Sequence, residues 1–380
     1  LKIEKEEIQM RNLKRALSLA LAAIMLLGMM VIGASAVDAY DDFTDKADIV
    51  NKDAVAMLTT LGIVNGKEDG SYFDPTGDVT RAEMAKMISV ILNKGADINS
   101  QYAGMNSGLT DVSSNWAAGH INYCYTLDII AGRGDGKFDP TAQVTAVEAA
   151  KMLLVAAGYD ASIEGLTGAS WSFNTSALAS RLNIFDGYTK DLQAVLNRDD
   201  AALLIYNALD IELIQKYEDG YAIEFNDSRT VLSFYYGVYK LTGVVLSNQY
   251  AAVNRTGIDD TNVDGKTLLG NVREYASTTL NTTNGQGYIE HEGTINFNVE
   301  TPVELIGKTI MMYVRKTTIL ANSQVLGVYL DESLNNIKET DARVSDMSDF
   351  LKGTGMAVDA DTEYYVNYGK VADRDAANDK

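Results

Sequence analysis

The chain has 380 residues, enough for two or three domains, and its 46% hydrophobic, 22% charged composition is that of a folded protein. Its formal net charge of −20 repels nucleic acid and anionic membrane, so neither is an expected partner, and any anionic ligand must be held by local cations. The single cysteine, Cys124, excludes an intrachain disulfide and lies in an apolar-patterned segment that reads as core.

Residues 1–36 read as an export signal. Arg11, Lys14 and Arg15 form a positive start, Ala16 to Ile32 is uncharged and rich in Leu, Ala and Met, and Ala34-Ser35-Ala36 matches a small-residue cleavage site. The competing reading, an uncleaved anchor, requires a span of ~20 apolar residues, and this run is slightly short. Met10 directly precedes the positive region, so residues 1–9 read as an over-extended gene start. Removing 1–36 takes away five bases and three acids and leaves a net charge of −22.

Two later segments repeat one another. The first runs Leu61-Gly62-Ile63-Val64, Gly66, Asp69-Gly70, Phe73-Asp74-Pro75, Val79-Thr80-Arg81-Ala82-Glu83. The second runs Leu127-Asp128-Ile129-Ile130, Gly132, Asp135-Gly136, Phe138-Asp139-Pro140, Val144-Thr145-Ala146-Val147-Glu148. Two of the three prolines in the chain fill the same slot in both copies. Thr80 with Glu83, and Thr145 with Glu148, have capping-box spacing, so a helix should start at each. Met84, Met87, Ile88, Ile91 and Leu92 then share one helical face, as do Ala149, Met152, Leu153, Ala156 and Ala157.

A worn third copy follows: Leu182-Asn183-Ile184-Phe185, Gly187, and then Asn197-Arg198-Asp199-Asp200 in place of the cap, without the Phe-x-Pro piece. Helices are also predicted ahead of the glycine turns, over Asp53 to Leu61 and Ala117 to Leu127. The unit is helix, glycine loop, short extended piece and capped helix, and one such unit cannot bury its own face, so the copies must share a core. The Asp-Gly loops lack the alternating oxygen ligands of a calcium loop and read as turns.

This unit resembles the S-layer homology family. Phe43-Thr44-Asp45 opens the first copy, Leu109-Thr110-Asp111-Val112 with Trp116-Ala117 opens the second, and the likeness covers roughly residues 40–212. The resemblance implies three repeats packed as a pseudo-threefold bundle, with grooves between repeats that bind secondary cell-wall polysaccharide, often pyruvylated. It makes Arg81 and Arg198 candidates for a ketal carboxylate at helix N-termini, Asp45 and Asp111 candidates for sugar hydroxyls, and Trp116 a candidate platform for a pyranose ring. Ordinary roles compete with each: solvated first-turn arginines, helix-capping aspartates, a packing tryptophan. Ala146 stands where the arginine belongs in the second copy, so a groove built on it should be weak or silent and one or two grooves should work.

Beyond about residue 220, short β-branched and aromatic runs replace helical periodicity. Val231 to Tyr239, Leu241 to Leu246, Gly293 to Val299, Thr309 to Val314 and Val325 to Leu330 are predicted strands, with a further piece over Tyr364 to Tyr368 and a frayed tail from Lys370. The fold class is therefore α+β and multidomain. The expected division is a signal at 1–36, repeats at 40–98, 105–160 and 170–215, and a small antiparallel β domain of sandwich or barrel type at 221–380.

With only His120 and His291, the chain has no multi-histidine metal site, and it carries no nucleophile-elbow, P-loop or dinucleotide-binding motif. No cofactor or metal is expected, His120 reads as structural, and Asp259-Asp260 reads as a solvated loop. The expected function is non-covalent anchoring of an exported, non-enzymatic protein to the cell wall, with self-association in a surface layer. The alternative is a wall-anchored hydrolase or ligand-capture protein whose activity lies in the β half.

Overall fold

A computed structural model describes residues 42–67, 70–225, 229–249, 266–275, 288–330 and 335, together with the backbone of 30–31, 364–366 and 369–371. Most of the expected export signal, the Asp259-Asp260 pair and most of the tail lie outside the described residues. Met30–Val31 (β1) is placed as a strand beside the last strand of the main sheet.

The N-terminal part is helical. In the first copy, Lys52–Thr60 (α1) is followed by the capped helix Arg81–Leu92 (α2) and one turn at Asn99–Tyr102 (α3). Ala118–Thr126 (α4) and Ala146–Ala156 (α5) fall in the second copy, and Trp171–Arg181 (α6) and Arg198–Ala208 (α7) in the segment read from the sequence as a third. Gly62, Asp128 and Asn183, which share one slot in the three copies, all adopt left-handed backbone where α1, α4 and α6 end. Glycine tolerates this freely, and Asp and Asn do so better than most residues.

The capping signals act as the spacing predicts. Thr80 and Thr145 accept the amides of Glu83 and Glu148, whose carboxylates accept the threonine amides in return. Asn197 accepts only the amide of Asp200 at 2.7 Å, because the shorter Asp side chain does not close the box. Thr145→Ala should therefore cost about 1 kcal/mol, measured as a fall in the denaturant midpoint at unchanged slope.

The three capped helices meet end to end. Val79 N–H donates to Leu196 O at 2.8 Å, Leu196 N–H to Val144 O at 2.9 Å, and Val144 N–H to Val79 O at 2.9 Å, closing a ring. The next amides, which no helix can satisfy internally, are taken by the neighbouring copy's loop. Arg81 N–H donates to Ala142 O, Ala146 N–H to Ala194 O and Arg198 N–H to Gly77 O. Ala82 N–H then donates to Pro140 O, and Asp199 N–H to Pro75 O, which gives the shared proline slot its role. The first copy thus leans on the second, the second on the third, and the third on the first. Asp199 tightens the last joint by accepting the backbone amides of Val50 and Asn51, each at 3.1 Å.

A hairpin, Ile214–Glu218 (β2) with Tyr221–Glu224 (β3), leads out of the helices. Residues 231–236, predicted as strand, instead form the short helix Val231–Tyr236 (α8), with a Thr230/Ser233 capping box and a left-handed Gly237 at its end. The strand begins only at Val238–Ser247 (β4). Thr267–Tyr275 (β5), Tyr288–Glu290 (β6), Thr294–Phe297 (β7), Thr309–Arg315 (β8) and Gln324–Leu330 (β9) complete an antiparallel sheet in the order β1-β9-β8-β4-β5-β6, with β7 also on β5. Tyr364–Val366 (β10) and Gly369–Val371 (β11) pair separately.

Both faces of the main sheet are covered, for different reasons. Ile310, Met312 and Val314 of β8 point into a sheet-borne core with Leu241, Leu269 and Phe297. Tyr313 between them, with Leu326 and Tyr329 of β9, joins the helical core instead. The β half is thereby docked directly on the helices.

Candidate functional site

A groove of about 350 Å³ opens between the second and third copies. Its lining combines Arg81 from α2, the Ile129–Arg133 loop, Glu148, Lys151 and Met152 from α5, and Thr167, Gly168 and Trp171 at the start of α6. Each part is delivered by the ring of joints: α2 of one copy enters the loop of the next, and the following copy supplies the aromatic wall.

Arg81 is not a solvated first-turn residue. It is 8% exposed, its Nε donates to Phe138 O at 2.9 Å and its Nη2 to Ala131 O at 3.0 Å, and its guanidinium lies 4.4 Å from the Phe138 ring centre. These bonds fix the guanidinium plane at the groove wall. Burial, followed by the nearby charge of Arg133, lowers the Arg81 pKa from its ordinary value, while Glu148 opposes the shift. Lys151 is lowered likewise by burial and by Arg81. Arg133 is held toward Glu148 at 3.1 Å and toward Asp139 at 3.8 Å. Three cations against one lining acid make a locally positive pocket in a strongly negative chain. Lys151 Nζ lies 5.5 Å from the Trp171 ring centre, so cation and aromatic face are presented together.

The same parts recur one joint back. Arg198 Nε donates to Phe73 O at 2.8 Å and Nη2 to Asn65 O at 3.2 Å, with the guanidinium 5.0 Å from the Phe73 ring centre. Burial lowers its pKa, against Glu83, Asp74 and Asp45. Lys86 Nζ sits 5.8 Å from the ring centre of Trp116, which is 55% exposed. The loop cation here is Lys67, drawn 2.6 Å from Asp74. At the third joint Ala146 replaces the arginine, Leu203 occupies the lysine position, and Lys190 pairs with Asp200.

The sequence-predicted residues divide accordingly. Arg81 stands in the groove with its guanidinium over Phe138, the tryptophan lining the same groove is Trp171, and Trp116 lies outside that lining, beside Lys86. Asp45 and Asp111 have a structural task, though it is not the capping of helices. The Asp45 carboxylate accepts the amides of Phe73 and Asp74 at 2.9 and 2.7 Å, and that of Asp111 those of Phe138 and Asp139 at 2.9 and 2.8 Å. Each clasps the Phe-Asp-Pro turn whose phenylalanine carries the arginine, and Asp111 is not among the groove-lining residues. Burial works against ionisation of Asp111, but the backbone donors of Phe138 and Asp139 and the charge of Lys137 leave its pKa below the ordinary value.

Sequence reasoning missed Lys151, Arg133 and Trp171. Their signal was positional. Lys86 and Lys151 both stand six residues after the capping threonine, Lys67 and Arg133 both follow the loop glycine, and both tryptophans sit where an opening helix begins.

Comparison with known proteins fits this geometry. Residues 41–85 and 108–150 match the S-layer homology domain. The chain is 31% identical over 212 residues to a cell surface protein of Thermoanaerobacter kivui, covering 56% of this chain and 26% of that protein. It is 31% identical over 222 residues to the middle cell wall protein of Brevibacillus brevis, covering 58% and 20%. An exoglucanase of Acetivibrio thermocellus matches at 30% over 184 residues, covering 44% of this chain and 16% of the enzyme. The chain thus carries S-layer homology domains and is a secreted cell-surface protein. Its matched part spans about a quarter or less of the length of these relatives. Among the described residues no helix is long and apolar enough to cross a membrane.

Proposed function

We propose that residues 170–215 are a third, worn S-layer homology repeat, that the repeats at 40–98, 105–160 and 170–215 close as a pseudo-threefold bundle, and that the bundle anchors the protein to secondary cell-wall polysaccharide. The observation that carries the reading is the groove of Arg81, Arg133, Lys151 and Trp171. Its cations suit the carboxylate of a pyruvylated sugar, and its indole suits the apolar face of a pyranose. The joint at Arg198, next to the Lys86 and Trp116 pair in the chain's repeat order, is the candidate second site, and the joint at Ala146 is weak or silent. Residues 221–380 form the β-rich part displayed by the anchor, and self-association in a surface layer follows from the same reading.

Sedimentation of the full chain with wall sacculi tests this. The chain should pellet with intact sacculi and stay in solution once acid extraction has removed the secondary polymer. Pelleting with both preparations would place the recognition on peptidoglycan instead.

One observation favours a second reading. An exoglucanase and an amylopullulanase share 30% and 31% identity with this chain over 184 and 188 residues, at levels close to the surface proteins. Under that reading the anchor tethers a hydrolase, and wall polysaccharide incubated with the full chain should release reducing sugar.

A further inference from the structure

The seam between helices and sheet holds two buried oxygens without a partner. α1 packs on α7 and on β9, and at this junction Asp53 Oδ1 and Tyr329 Oη are both buried with no hydrogen-bond partner among the described residues. The phenols around them are otherwise engaged. Tyr206 Oη and Tyr313 Oη lie 3.1 Å apart, and the Tyr313 and Tyr329 rings meet edge to face at 5.5 Å.

We propose that this seam is a proton-operated latch, closed while Asp53 is a neutral acid and loosened when Asp53 ionises. A neutral carboxyl tolerates a dry, unpartnered Oδ1 at modest cost, whereas a carboxylate must regain water or a donor at that oxygen, which the half-buried side chain gains by loosening its contact with the seam. The phenols do not switch in the physiological range. Burial raises Tyr206, Tyr313 and Tyr329 above the ordinary tyrosine value.

The surrounding charges give Asp53 one nearby cation on its own helix, Lys52. From α7 Tyr206 is close enough to feel its charge, while Asp199 is engaged by the Val50 and Asn51 amides, Asp200 by Lys190, and Arg198 by the Phe73 and Asn65 carbonyls. Asp210, beyond α7, pairs with Lys240 at 3.5 Å, and β9 presents Tyr329. Burial, partly offset by Lys52, raises the Asp53 pKa from 3.8 to about 6. A carboxyl raised on folding favours the closed form at low pH. The latch is fully closed below the ordinary value of 3.8 and is lost as pH rises through about 6. A rise from 3.8 to about 6 corresponds to about a hundredfold change in the closed-to-open ratio.

Hydrogen exchange on the full chain at pH 5 and pH 8, corrected for intrinsic rates, reads this directly. Amides of α1 and β9 should lose protection at pH 8 by up to about a hundredfold, and Asp53→Asn should make their protection independent of pH. Equal protection at the two values in wild type, or an unchanged pH response in Asp53→Asn, would overturn the proposal. Carbon-13 titration of the wild-type Asp53 carboxyl follows the same proton without a variant. A midpoint near 6 supports the latch, and one at the ordinary aspartate value sinks it.

Discussion

Replacing Arg133 and Lys151 together with alanine should weaken binding of wall polysaccharide at least a hundredfold while leaving the thermal midpoint within a few degrees of wild type. Both side chains line the groove, yet Arg133 is 40% exposed and Lys151 half-buried, so little of the core depends on them. On the proposed reading, in which both cations face an anionic sugar, their loss removes two charge-assisted contacts, worth about 3 kcal/mol or more together. Isothermal titration with purified polymer measures the affinity, and a scanning melt of the same sample checks the fold. Arg81→Ala is a poorer probe. It strips the Phe138 and Ala131 carbonyls of their donors and the Phe138 ring of its cover, so it should cost about 2–4 kcal/mol of stability besides any binding. A loss of pelleting in that variant would not separate a missing contact from a collapsed joint. Unchanged affinity in the double variant would remove the groove from the anchoring mechanism.

Phe138→Ala should destabilise the helical part by about 3–5 kcal/mol, the range for truncating a fully buried aromatic. Phe138 is among the largest side chains with no exposure, and its main chain is held on both sides. Its amide is clasped by Asp111 and its carbonyl accepts Arg81. The cavity therefore opens where three devices meet, and the neighbouring copy has little freedom to collapse into it. Denaturant unfolding followed by far-ultraviolet circular dichroism should show the loss as a lowered midpoint. A cost below about 1 kcal/mol would mean that the joint is plastic and that the turn serves the ligand more than the fold.

Those two expectations rest on unequal amounts of sequence information. The capped helices were legible because a capping box is local: Thr80 with Glu83, and Thr145 with Glu148, make their bonds within one turn whatever surrounds them. The altered third joint was legible in part, since Ala146 in an arginine's place reads directly. The strand runs at β8 and β9 were visible from their β-branched and aromatic content. The β5 strand Thr267–Tyr275 was not, because it lies between long polar stretches and owes its burial to partners on both edges. Val231–Tyr236 shows the opposite failure. A six-residue aromatic run fits either period, and what decides for helix is the Thr230/Ser233 box with the left-handed Gly237.

By itself the sequence determined that the chain contains repeats, where their capped helices begin, and that any anion must be met by local cations. Only the tertiary structure decided which cations meet which aromatic side chain. Each capped helix reaches into the loop of the following copy, so Arg81 lines one groove with Arg133, Lys151 and Trp171, and Arg198 is seated on the distant Phe73. Chain order carries no record of that displacement, because it is made by three backbone hydrogen bonds that exist only when all the copies close on one another. The same closure assigns Asp45 and Asp111 to the turns, since a carboxylate facing two free backbone amides is bound by them before any sugar arrives.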